Sequence, residues 1–250
     1  MLARMTIKFA SRIHTGVTET AILKAGLNLP MLPSAVVAVD YELANIPCNL
    51  GKVTREGQKH HFMLAQGLSQ QDSLKECLEW IKTNTRDAVR SIAHWPGGVD
   101  GAATPRGDVS FEDKATASLA IALHAIQDSF SPAHAHRNDR EVITRIFAWD
   151  KKNRDPGPDA KKQGAVEWDE ANNCPGPGWK GHEAYDDVWR KDLEQVDYSR
   201  PHVQPAVDAS AALLSLAFRA AMFTERISVN PFDQLMVVFF GTHFVAALKD

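Results

Sequence analysis

The sequence predicts an all-α protein that folds as a single-domain multi-helix bundle over residues 1–250. Three observations predict this class. Apolar residues recur at helical spacing in most segments, residues typical of helix starts precede those segments, and no alternating strand pattern of useful length occurs. A chain of 250 residues is also long enough to bury one sizeable core.

The first half of the chain is divided into helices by proline, glycine and capping residues. A short helix is expected up to about Gly26, followed by a breaker region at 28–33. Ser34 is expected to cap the next helix, SAVVAVDYELAN. GQKHHFMLAQGL predicts a short helix, and the segment from Asp72 to His94 carries apolar residues at helical spacing.

The second half begins with a capping-box-like start at Ser110 for the helix FEDKATASLAIALHAIQDSF. Ser131-Pro132 then predicts a further helix that runs to about Asp150. Residues 151–180 are rich in proline, glycine and charge, and are predicted to form a loop insertion, either a lid or a simple insertion. Helical patterns resume with HEAYDDVWRKDLEQV and QPAVDASAALLSLAFRAAMF, and Pro231 begins the last helix.

Composition limits the classes of partner and compartment. The net charge of −3 argues against the basic face with which proteins bind duplex nucleic acid. The three cysteines are far apart, so neither a disulfide framework nor a thiolate zinc site is expected.

The N-terminal segment lacks an apolar run of signal-peptide length, which predicts synthesis in the cytoplasm and a signal-less route for any export. Leu235 to Leu248 is short for a bilayer span, so no transmembrane segment is expected.

Two histidine–aspartate pairs are candidate metal ligands. His124 and Asp128 are four positions apart in one predicted helix, and so are His182 and Asp186. Side chains with this spacing lie on one helix face, so each pair can bind one cation. Imidazole together with carboxylate suits zinc, particularly where a position is left open for water.

Further candidate ligands lie close to these pairs in the predicted fold. His134 follows the turn at Ser131-Pro132, which can bring it back towards Asp128. His61 lies in a separate short segment. Asp40 is on an otherwise apolar helix, where an unpaired carboxylate is costly to bury and a cation would be a suitable partner.

These residues resemble a known family. HAIQDSFSPAH resembles the HxxxDxxxxPxH signature of the zinc-dependent phospholipases C and the fungal single-strand-specific zinc nucleases, which share one all-helical fold and a cluster of three zinc ions. The family also has an early His, an Asp late in an early helix, a His followed by an aromatic residue, and a late HxxxD or HxxxE. This sequence offers the matching residues in that order, namely His14, Asp40, His61-Phe62, and His182 with Asp186.

The resemblance implies a fold of the zinc-dependent phospholipase C type and a set of zinc ligands. The first zinc would be held by Asp40, His61, His124 and Asp128. The second would be held by His134, His182 and Asp186. Asp128 would bridge to a third ion that His14 also binds. The family completes the third site with a processed N-terminal Trp, which this sequence does not have near its start, so two or three zinc ions are implied.

The activity implied by the resemblance is phosphodiester hydrolysis. The leading hypothesis is a phospholipase C that attacks phospholipid at a membrane surface with a zinc-activated water, releasing diacylglycerol and a phosphorylated headgroup. Asp40 would bind zinc and also accept a proton from the attacking water. Arg137 would hold a phosphate oxygen, or else face solvent. Export by a signal-less route would add a secretion-system or immunity partner.

Two other hypotheses stay open. One is a single-strand-specific zinc nuclease, against which the absence of a basic patch and of paired cysteines counts. The other is a lipid- or partner-binding module whose metal is only structural. Substitution of His124 by Ala separates the classes, since an enzyme would lose turnover while much of its fold survived, and a structural site would lose the fold.

Overall fold

In the computed structural model, helices make up 71% of the described residues, which confirms the predicted helical class for this part of the chain. The structure describes residues 10–44, 59–65, 68–94, 109–131, 134–146, 168–169, 174–175, 196, 198–199, 202–224 and 231–248. The helix predicted for HEAYDDVWRKDLEQV lies outside these residues, and so does most of the 151–180 segment. The described part of that segment contains two short strands, β3 (Trp168–Asp169) and β4 (Cys174–Pro175), which pair in antiparallel fashion.

The described residues form six helices, most of them near their predicted positions. They are α1 (Ala10–Ala25), α2 (Leu32–Ala44), α3 (Gln70–Ala93), α4 (Val109–Asp128), α5 (Val203–Thr224) and α6 (Phe232–His243). Within the short helix predicted around His61, Lys59 and His60 are helical and the residues from His61 to Ala65 are not, while the residues before Lys59 lie outside the described part of the chain.

Local signals set the helix boundaries. α1 ends because Gly26 adopts a left-handed φ of 69°, and its amide donates to the carbonyl of Leu23 at 3.1 Å. α3 begins after Ser69, whose side chain accepts a hydrogen bond from the amide of Asp72. α2 begins at Leu32, two residues before the predicted cap, because Pro33 fits the first turn of a helix and the Ser34 hydroxyl donates to the carbonyl of Met31.

The core is centred on α4, which packs against α2, α3 and α5, while α1 packs against α2 and α5. Leu119, Leu123 and Ile126 of α4 are fully buried. Small residues such as Ala206 and Ala217 line the buried side of α5, so neighbouring helices can approach it closely. The helices therefore enclose the end of α4 that carries His124 and Asp128.

One helix among the described residues is long and apolar enough to cross a membrane, judged by length and composition only. It is the Val203–Phe223 part of α5, and 61% of its apolar 18-residue stretch is buried inside the protein. Core helices with such burial pass the same test.

The helix predicted from Ser131-Pro132 to about Asp150 is wrong, because this part of the chain forms a β-hairpin. β1 (Ala135–Arg137) pairs in antiparallel fashion with β2 (Ile143–Ile146). The Asn138 side-chain oxygen accepts from the amides of Arg140 and Val142, and so closes the turn. The β-branched run that follows places Ile143 and Ile146 in the core, a pattern that suits a strand better than a helix.

Arg137 is the last residue of β1, next to the turn of this hairpin, and is buried. Its Nε donates to the carbonyl of Ser129 at 2.9 Å, and its Nη1 donates to the carbonyls of Glu141 and His243. The guanidinium also lies 3.9 Å from the ring centre of Phe130. Burial lowers the pKa of Arg137 to about 10, so the side chain stays charged at neutral pH. Arg137 thus joins the hairpin, the end of α4 and the end of α6.

We expect Arg137→Met to lower the free energy of unfolding by about 2–4 kcal/mol, because it leaves buried carbonyl groups without their charged donor. Urea unfolding followed by circular dichroism measures this. Arg145→Met on the exposed face of β2 is the matched control and should change stability by less than about 0.5 kcal/mol. Equal stabilities for the two variants would contradict a structural role for Arg137.

Candidate metal centre

Five of the eight predicted ligands meet in one buried place. His14 comes from the first half of α1, His61 from the irregular segment 59–65, and His124 and Asp128 from the last turns of α4. His134 follows the turn after α4. Each of the five is at most 5% exposed.

Asp128 is the centre of this group. Its Oδ2 lies 3.0 Å from Nδ1 of His61 and 3.1 Å from Nε2 of His124. The same oxygen is 3.6 Å from Nδ1 of His134, and Oδ1 is 3.3 Å from Nε2 of His14. Burial alone would raise the pKa of Asp128, but the histidines, with His124 and His134 foremost, hold the pKa of this carboxyl well below its usual range. The carboxylate is therefore ionised.

Three of these atoms form a nearly equilateral triangle. Nε2 of His124 is 3.0 Å from Nδ1 of His61, which complements the 3.0 Å and 3.1 Å distances from these two nitrogens to Oδ2 of Asp128. Tetrahedral zinc with ligands about 2.0–2.1 Å away would separate its ligand atoms by roughly 3.3 Å. The triangle is thus close in size to one face of a tetrahedral zinc site.

The hydrogen bond of His124 determines what its other nitrogen can do. Nδ1 of His124 lies 3.1 Å from the carbonyl oxygen of Val36, which can only accept. When the ring is neutral, its one N–H is on Nδ1, and Nε2 then directs a lone pair towards Oδ2 of Asp128. The lone pairs of His124 Nε2 and Asp128 Oδ2 then face each other and repel unless a cation lies between them. The one proton of a neutral His61 can bridge only one pair of these three atoms. This donor set fits a metal ion.

His134 is held in a similar way. Its Nδ1 makes a short hydrogen bond with the carbonyl oxygen of His61 and therefore donates a proton to it. Burial lowers the pKa of His134, which favours the neutral ring. In a neutral His134 the lone pair is then on Nε2, which is the nitrogen that could act as a ligand.

The segment that carries His61 is fixed to α3. Cys77 and Ser73 of α3 bond to the backbone of Met63 and Ala65, and burial raises the pKa of the Cys77 thiol to about 12. This thiol is therefore a protonated structural group. Phe62 adopts a left-handed φ of 51°, which is rare for a bulky residue, and its buried ring packs against Phe244. Such strain is often found beside functional residues.

Sequence reasoning missed Gln127 and Thr18. Nδ1 of His14 lies 2.8 Å from Oε1 of Gln127, and Nε2 of Gln127 donates to Oγ1 of Thr18 at 2.9 Å. All three side chains are buried. The available signal was a glutamine in the last turn of a largely buried helix, since a buried amide needs partners.

Three predicted ligands cannot be placed in this centre. His182 and Asp186 lie outside the described residues, and so does the side chain of Asp40, whose backbone belongs to α2. Their roles as ligands, and the role of Asp40 as a proton acceptor, stay predictions. Arg137 is placed, and its contacts give it a structural role instead of the phosphate-binding or solvent-facing role predicted for it.

The described residues thus contain a buried group that could hold a metal ion. One ligand atom each from His14, His124 and Asp128 lies within 4.8 Å of the other two. Because the two oxygens of Asp128 point to different histidines, one oxygen could bind an ion with His61 and His124 while the other faces His14. Comparisons of the chain with family models, curated proteins and solved structures give no match.

We expect Asp128→Asn to weaken zinc binding by more than about 100-fold, a larger loss than the 10- to 100-fold typical when a group that only orients a ligand is removed. The variant keeps the size of the side chain but loses its charge and one acceptor oxygen. Competition with a chromophoric chelator measures the affinity. Asp208→Asn is the control, because Asp208 of α5 pairs with Lys24 at the surface. Unchanged affinity in Asp128→Asn would show that zinc binds elsewhere.

Proposed function

We propose that this protein is a zinc-dependent phosphodiester hydrolase, and specifically a phospholipase C. It would cleave phospholipids on the glycerol side of the phosphate and release diacylglycerol and a phosphorylated headgroup. The proposal combines the HAIQDSFSPAH motif with the buried group of ionisable residues around Asp128.

The observation that carries the proposal is the triangle formed by His61 Nδ1, His124 Nε2 and Asp128 Oδ2, with edges of 3.0–3.1 Å. A helix pair such as His124 and Asp128 can be purely structural, but a third ligand atom, the nitrogen of His61 from a distant segment at the same spacing, favours a metal ion. The resemblance supplies Asp40 as the fourth ligand. Zinc also suits this donor set because imidazole and carboxylate are among its preferred ligands.

Zinc ions held in this way would neutralise the anionic phosphodiester, acidify a bound water and stabilise the leaving oxygen. The protein residues keep the site rigid for this purpose. The Val36 and His61 carbonyls orient the rings of His124 and His134, and the surrounding helices keep bulk water away from Asp128. Asp40 remains the candidate proton acceptor, and His134 with His182 and Asp186 the ligands of a further ion.

Zinc-loaded protein incubated with liposomes of mixed phospholipids should release diacylglycerol, because the proposed site activates water against the phosphodiester. Mass spectrometry of the lipid and aqueous fractions identifies both products. Activity should disappear with a chelator and return with added zinc. If well-folded, zinc-loaded protein yields no lipid product, the phospholipase C proposal is wrong, and single-stranded DNA and RNA become the substrates to test.

His124→Ala should reduce diacylglycerol release by more than about 100-fold, since His124 supplies one corner of the triangle. His94→Ala is a matched control, because His94 is an exposed histidine at the end of α3. Circular dichroism of both variants reports the fold. A His124→Ala protein that unfolds, together with wild-type protein that binds zinc without turnover, would favour a module with a structural metal.

A further inference from the structure

Gln127 directly precedes Asp128 in the chain, and its side chain is a neutral amide among the ionisable side chains of the centre. It is 2% exposed, and both ends of its amide are used within the protein. One end meets Nδ1 of His14 on α1, and the other meets Oγ1 of Thr18 one helical turn further along α1. Because a buried amide needs hydrogen-bond partners, His14 and Thr18 indicate what Gln127 does.

We propose that Gln127 is a positioning residue of the metal centre: its amide, oriented by Thr18, keeps the proton of His14 on Nδ1 and directs the Nε2 lone pair towards Asp128. The inference rests on the proposed function, because the lone pair is useful there only if a cation binds. It assigns to Gln127 and Thr18 a role in selecting the tautomer of a ligand.

The direction of the amide decides the tautomer. With Nε2 of Gln127 donating to Thr18 at 2.9 Å, Oε1 faces Nδ1 of His14 at 2.8 Å. A carbonyl oxygen can only accept, so Nδ1 of His14 must donate. A neutral ring then has no proton on Nε2, which lies 3.3 Å from Oδ1 of Asp128.

The reversed amide would have the opposite effect. If the NH2 group of Gln127 faced His14, Nδ1 would accept, and the ring proton would move to Nε2 and donate to Asp128. That tautomer cannot bind a cation through Nε2. The Thr18 hydroxyl can accept or donate, so it tolerates both directions, but as an acceptor it supports the metal-binding one.

Backbone carbonyls fix the tautomers of two other histidine rings. His124 and His134 donate from Nδ1 to backbone carbonyls, which cannot reverse. Two histidines have side chains as their described Nδ1 partners: His61 contacts the predicted ligands Asp128 and His124, whereas His14 contacts Gln127, which is not a predicted ligand. The tautomer of His14 is therefore the one that a single substitution outside the predicted ligands can change without moving the backbone.

The experiment compares Gln127→Met, Gln127→Glu and Thr18→Val with the wild type. The two-bond nitrogen–hydrogen couplings of ¹⁵N-labelled histidine rings report the tautomer in metal-free protein. Competition with a chromophoric chelator reports zinc affinity. Gln127→Met removes the acceptor, so His14 should move to the Nε2–H tautomer and zinc affinity should fall about 10- to 100-fold.

Gln127→Glu is the conservative variant, because its carboxylate still accepts from Nδ1 of His14. It should keep the Nδ1–H tautomer and recover most of the zinc affinity that Gln127→Met loses. Thr18→Val should shift part of the His14 population to Nε2–H, since the amide then loses the acceptor that supports its metal-binding direction. A merely structural role for Gln127 would change stability in all three variants without changing the tautomer.

Two matched controls have described hydrogen bonds that involve none of the predicted ligands. Gln70 also uses both ends of its amide, on the backbone of Ile146, and Thr85 is a fully buried helical threonine. Gln70→Met and Thr85→Val should leave the His14 tautomer and zinc affinity unchanged. Wild-type tautomer in folded Gln127→Met, or in Thr18→Val if the former does not fold, would overturn the inference.

The two proposals fail in different ways. If the wild-type protein binds no zinc, the proposed function fails, whereas the tautomer of His14 in metal-free protein still tests Gln127. If zinc binds and lipid is cleaved but Gln127→Met keeps both the Nδ1–H tautomer and full affinity, only the assignment to Gln127 fails.

Discussion

The structure depends on one buried carboxylate. Asp128 is 3% exposed, lies at the last turn of α4, and has imidazole nitrogens from four histidines within 3.6 Å. A carboxylate removed from water to this extent is stable only with cationic or hydrogen-bonding partners. These partners come from α1, α4, the 59–65 segment and the turn after α4. The need to satisfy Asp128 therefore ties together parts of the chain that are far apart in sequence.

The hydrogen-bond partners on the far side of each histidine ring decide whether the group around Asp128 is better suited to bind protons or a metal ion. Protons alone could satisfy some of the contacts, because each neutral ring brings one N–H. However, the carbonyls of Val36 and His61 take the N–H of His124 and His134 away from Asp128. The atoms around the Asp128 carboxylate are thus mostly hydrogen-bond acceptors. A divalent cation balances such a set more completely than the few protons that the rings can supply.

Sequence reasoning predicted the helical class and the residues around Asp128 because both rest on local patterns. The four-residue spacing of His124 and Asp128 is a property of one helix, and the order of His14 and His61 along the chain follows a family pattern. It did not predict Gln127, Thr18 or the Val36 carbonyl, since these contacts depend on how α1 and α2 pack against α4. It also misassigned Arg137, because nothing in the sequence indicates that its donors meet the ends of α4 and α6.

The turn between α4 and the hairpin is what brings His134 to the centre. A helix continuing from α4 would rise about 1.5 Å per residue and carry His134 roughly 9 Å further along the axis from Asp128. Instead, the Ser131 amide donates to the carbonyl of Asp128, and the amide of His134 donates to the carbonyl of Ser131, so the chain folds back. Nδ1 of His134 then lies 3.6 Å from the carboxylate. By fastening the hairpin to Ser129 and Phe130, Arg137 holds this turn in place, and so contributes to the centre without touching it.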